Sequence, residues 1–77
     1  MKEFNITIRS FQQVQDFVSL AMVQPFDVLV CNEKQQINGK SFIGMFSLDY
    51  RRPVFVRVCC SDEEFLRFQR SVAQCLS

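Results

Sequence analysis

Residues 37–49 read INGKSFIGMFSLD, and the triplet Gly39-Lys40-Ser41 at their centre stands directly before an apolar run. Two readings compete for it. Such a triplet closes the phosphate-binding loop of nucleotide hydrolases, but a serine before an apolar run also opens a helix. The loop motif requires a further glycine five residues before the first residue of the triplet. Lys34 stands there, and the chain has only two glycines, Gly39 and Gly44. The stretch before it, Gln35 to Asn38, is short and polar, where a nucleotide fold needs a buried parallel strand. The residues therefore favour Ser41 as the N-cap of a short helix reaching about Leu48.

Working outward, Phe4, Ile6 and Ile8 alternate with Asn5 and Thr7, the period of a strand with one wet face. Ser10 is followed three residues later by Gln13, a capping box. Phe11, Val14, Phe17, Val18, Ala21 and Met22 then recur at helical spacing. Pro25 stops that helix, since it has no amide donor and disfavours a helical residue before it. FDVLVC (26–31) is β-branched and apolar, a second strand. Asn32-Glu33-Lys34 turns into a short polar strand, Gln35 to Asn38, at the sheet edge.

Beyond the short helix, DYRRP (49–53) forms a loop, and Val54, Val56 and Val58 alternate with Phe55 and Arg57 in a fourth strand. Ser61 and Glu64 make a second capping box, and acidic residues 62–64 suit the helix dipole there. Phe65, Phe68, Val72 and Leu76, flanked by Leu66 and Ala73, give the last helix its core stripe. The order is β-α-β-β-α-β-α. This is an α+β domain in which three helices cover one face of a four-stranded antiparallel sheet.

The 77 residues form one domain, 1–77, with a thin core. A net charge of +1 draws the chain neither to nucleic acid nor to an anionic membrane. No apolar run is long enough to span a bilayer, and no apolar signal segment follows the first lysine, so a cytoplasmic location is expected. In a reducing compartment Cys31, Cys59, Cys60 and Cys75 are free thiols, buried or half-buried as packing residues. The chain has no histidine, which excludes histidine-based acid–base or nucleophilic chemistry. No metal, cofactor or catalytic residue is expected, and the chain is not read as an enzyme. Arg51 and Arg52 are the one basic concentration, either a solvated turn or a holder of phosphate or an acidic partner.

KSFIGMFSL (40–48) resembles the KSIMGVMSL segment of HPr proteins, the small phosphocarriers of the bacterial sugar phosphotransferase system. VQDFVSLA (14–21) is similar to part of that family's first helix, and the element order agrees with its open-faced β-sandwich. The resemblance implies that Ser41 is a regulatory phosphorylation site. It fails where the family carries phosphate, on a histidine at the start of the first helix in a Gly-x-His-x-Arg-Pro-like segment. Here the stretch is RSFQQVQ (9–15), without that segment's histidine, arginine and proline, and Ser10, Gln12 and Gln13 mark the degenerate carrier region.

A relative that has lost the carrier histidine and kept the serine is similar to the catabolite-repression HPr homologues of Gram-positive bacteria. That implies a regulatory module whose partners are an HPr serine kinase and a transcriptional regulator of carbon catabolism. Ser41 is then the switch, and Lys40, Phe42, Ile43 and Phe46 form the partner-binding surface. The alternative is an orphan HPr-like domain with another partner, or a homodimer, in which Ser41 is only a helix cap.

Overall fold

The computed structural model describes residues 1–77. Its elements follow the expected order: β1 (Lys2–Ile6), α1 (Phe11–Met22), β2 (Val28–Cys31), β3 (Gln36–Asn38), α2 (Phe42–Phe46), β4 (Val54–Val58) and α3 (Asp62–Cys75). The four strands form one antiparallel sheet in the order β1-β4-β2-β3. Chain neighbours β1 and β2 are thus separated by β4, and β1 and β3 are the edges.

Register decides which side chains meet. Phe4, Val56 and Val30 lie abreast, as do Ile6 with Val54 and Val28 with Val58. Together they line one face. Against it pack Val14, Phe17, Val18 and Ala21 of α1, Met45 of α2, and Phe68 and Val72 of α3, all in a single buried cluster. No polar or charged side chain is buried. The opposite face carries Glu3, Asn5, Phe55 and Arg57 and is open, apart from the buried Cys31. Glu3 and Arg57 pair across it at 2.9 Å, an exposed bridge of small energetic value.

Several expectations need correction. β1 ends at Ile6 because its partner Val54 follows Pro53, which offers no ladder donor; Ile8 is buried beyond the strand. β2 starts at Val28, opposite the last residue of β4, and Phe26 instead packs edge-on against Phe68 with centroids 5.6 Å apart. α2 spans five residues rather than eight, for Ser47 and Leu48 donate to carbonyls only three residues back and tighten the chain out of the helix. Phe11 and Met22, at helical spacing with the core residues, are 75% and 55% exposed. Leu66 and Ala73 on α3 also face solvent, and Phe65 and Leu76 are half-buried. Cys59 is exposed, while Cys31 is buried and Cys60 and Cys75 are half-buried.

The caps match their sequence signals in two of three helices. Ser61 accepts from the Glu64 amide, and the Glu64 carboxylate accepts from the Ser61 amide, both at 3.1 Å. Ser41 caps α2. At α1, Ser10 accepts from the Gln13 amide at 3.2 Å, but the Gln13 side chain takes the Arg9 amide at 2.7 Å rather than that of Ser10. The capping box there is displaced by one residue.

Candidate functional site: a serine cap beside an aromatic patch

Ser41 has an extended backbone, and its Oγ accepts from the Gly44 amide at 3.2 Å, one of the first-turn donors that a helix leaves unpaired. Asn38 shapes the approach: its side chain accepts from the Lys40 amide at 2.9 Å and its carbonyl from the Ser41 amide at 3.0 Å. Losing the cap has a calculable effect. Ser41→Ala should lower stability by about 0.5–2 kcal/mol, whereas Ser41→Asp, also a cap, should stay near wild type. Denaturant midpoints of the two variants check this, and a neutral alanine with a strongly destabilising aspartate would contradict the assignment.

α2 buries a single side chain, Met45. Phe42 and Phe46 stack with centroids 6.4 Å apart and are about two-fifths exposed, and Ile43 is 86% exposed. Phe11, at the start of α1, meets Phe46 edge-on at 5.6 Å. The two helices thus join Phe11, Phe46 and Phe42 in one aromatic patch next to Ser41, with the exposed Ile43 adjoining Phe42 in the chain. Three of the four were expected there; Phe11 was not. Its spacing marks it as a core residue, but it is the first residue of α1 and stands one turn ahead of Val14, the first that the core buries.

Lys40 is held elsewhere. Its ammonium donates to the carbonyl of Gln24, just beyond the end of α1, at 2.9 Å. It pins the turn before α2 to the C-terminal end of α1, where a cation is favoured.

In the degenerate carrier region the side chains of Ser10, Gln12 and Gln13 are all engaged within the fold. Beyond the caps, Gln12 donates to Asp16 at 2.9 Å, and Gln13 reaches the carbonyl of Leu76 at 3.5 Å. A groove of about 760 Å³ runs beside it, bounded by Arg9, Ser10 and Phe11 on one side and by Tyr50 and Arg51 on the other. The Tyr50 hydroxyl donates to the Met45 carbonyl, and burial pushes its pKa up to about 12. Arg51 grips Asp49 through two nitrogens, at 2.7–3.1 Å, and holds that carboxyl down at about 2. Asp49 therefore stays ionised, and the pair intact, until pH falls through that low value. Neither Arg51 nor Arg52 hydrogen-bonds to Ser41. Burial, the largest cause in each case, raises the pKa of the Cys60 and Cys75 thiols, which disfavours the thiolate.

No family model matches the sequence, and no curated protein matches it. Solved structures do. HPr-C-His from Thermoanaerobacter tengcongensis superposes with a TM-score of 0.76 at 23% identity, over 99% of this chain and 91% of that one. The histidine-containing phosphocarrier protein of Mycoplasma gives 0.71 at 10% identity, covering 97% of both chains. Crh, the catabolite-repression protein of Bacillus subtilis, gives 0.65 at 21% identity over 92% of this chain and 86% of its own. At such identities the agreement speaks for architecture over nearly the full length, and the architecture is that of HPr: this chain has the HPr fold.

Proposed function

We propose that the chain is a histidine-less relative of the HPr phosphocarriers and acts as a non-catalytic regulatory module, switched by phosphorylation of Ser41. The observation that carries this reading is the apolar surface of Phe11, Phe42, Ile43 and Phe46 beside a half-buried serine at a helix start. Aromatic side chains left in water beside a modifiable hydroxyl give a protein partner both anchors and a switch. A phosphate on Ser41 would add about −1.5 to −2 charge next to free first-turn amides, which favours altered binding over unfolding. The partners proposed are an HPr serine kinase and a regulator of carbon catabolism, in a cytoplasmic setting. With no histidine in the chain, phosphate relay to sugar permeases is not part of this function.

Purified HPr serine kinase with ATP should place one phosphate on this protein, at Ser41, as located by mass spectrometry. Ile43→Ala should slow that modification while changing stability by less than about 0.5 kcal/mol, since Ile43 is exposed. Failure to modify the chain with a kinase that labels an authentic HPr, or phosphate on another residue, would overturn the reading.

Self-association is the second reading. The Bacillus subtilis Crh structure is described as a swapped dimer. Here β1 is an edge strand whose outer backbone groups are open to pairing. Sedimentation of the unmodified protein across a concentration series separates this reading from the first.

A further inference from the structure

A second cleft, of about 530 Å³, opens at the end of the sheet between the β2–β3 turn and the loop that enters β4. One wall brings Asn32, Glu33 and Lys34; the other brings Asp49, Arg51 and Arg52; the Phe55 ring lies between them, 40% exposed. Both walls are braced locally. The Asn32 side chain accepts from the amides of Lys34 and Gln35, each at 2.8 Å, and Asp49 accepts from the Arg51 amide at 3.0 Å.

The charges in the cleft are not equally committed. Asp49 neutralises Arg51. Lys34 and Arg52 form no ion pair and no side-chain hydrogen bond, and Glu33 is also unpaired. Two unpaired cations thus line the cleft together with one exposed aromatic ring and one unpaired carboxylate. An arginine fork and an ammonium together match a phosphate monoester, whose second charge a carboxylate lacks. A single exposed ring beside them offers a stacking face for one planar group.

We propose that this cleft binds a nucleoside monophosphate, with its phosphate on Arg52 and Lys34 and its base stacked on Phe55. The site is independent of Ser41, and its occupancy does not require the regulatory reading. Glu33 opposes the phosphate and sets a ceiling on affinity.

The test is a titration of the full chain with adenosine 5′-monophosphate, followed by amide chemical shifts. Inorganic phosphate, adenosine and a short single-stranded oligonucleotide serve as separate arms. Saturable shifts at Asn32, Lys34 and Arg52 are expected, with phosphate and adenosine each binding at least about tenfold more weakly than the nucleotide. Arg52→Ala, on an exposed loop, should weaken binding about tenfold, and Glu33→Gln should tighten it severalfold. Phe55→Leu should bring the nucleotide down to the level of inorganic phosphate. Absence of saturable shifts overturns the proposal, as does an unchanged affinity in Arg52→Ala. Phosphate binding as tightly as the nucleotide removes the stacking platform and the proposal with it. An oligonucleotide that binds where the mononucleotide does not reassigns the cleft to nucleic-acid strands.

Discussion

Phe68→Ala should cost the domain a large share of its stability. Phe68 is 1% exposed on α3, and its ring touches those of Phe4, Phe17 and Phe26, with centroids 5.6–6.3 Å away. It therefore joins an edge strand, α1 and the segment entering β2. Truncating such a ring removes transfer free energy and leaves a cavity, a combined cost of about 3–5 kcal/mol. A chain of this length has a total stability of roughly 4–12 kcal/mol, so a quarter of the margin is lost at the least and all of it at the lower end. Each kcal/mol is worth about 4–8 °C in a domain this small, and the melting midpoint should fall by tens of degrees. Leu66→Ala, on the solvent side of the same helix, should stay within about 0.5 kcal/mol of wild type. Thermal melts of both variants decide the matter. Equal losses would mean that α3 presents a different face to the sheet.

Gly39→Ala should destabilise the fold although alanine is the better residue in most settings. Gly39 has no positive φ, so conformational freedom is not the reason for glycine there. Space is. A Cβ at this position would lie 2.8 Å from Val28 Cγ1, 3.1 Å from Val30 Cγ2 and 3.2 Å from the Val28 carbonyl oxygen. Neither valine can retreat, being fully buried, and the carbonyl already accepts the Gly39 amide at 2.7 Å. Overpacking of this kind costs about 1–3 kcal/mol. The reduced entropy of the unfolded chain returns about 0.4–1 kcal/mol. The balance is a net loss, visible as a lower denaturant midpoint. A stabilised variant would show that the turn before α2 has slack.

The element order was legible because period-2 and helical spacing alternate cleanly along the chain, and serine marks all three helix starts. Exposure at the ends was less so. Phe11 and Met22 share the apolar spacing of α1, but spacing carries no information about how far a helix overhangs the sheet. α2 is shorter than its sequence suggests because Leu48 continues the apolar pattern while the amides of Ser47 and Leu48 close tighter turns. Strand order depends on pairing between residues far apart, such as Lys2 with Val58, which a local pattern cannot encode. The same holds for the candidate sites. Ser41 and its rim lie in one stretch of sequence and were visible there. The contact of Phe11 with Phe46, and the cleft that joins Lys34 to Arg52, arise only when distant segments meet.

The uneven exposure of the four thiols has a practical consequence. Cys31 is shielded on the sheet and Cys60 and Cys75 are partly withdrawn, so Cys59, at the end of β4, is the sulfur most open to oxidants. Stored in air, the protein should acquire intermolecular disulfides there first. The resulting covalent pairs would join copies through the end of β4, with no involvement of β1 or the aromatic surface. Any measurement of assembly state therefore belongs in reducing buffer or in a Cys59→Ser background, where a non-covalent dimer stands apart from a crosslinked one.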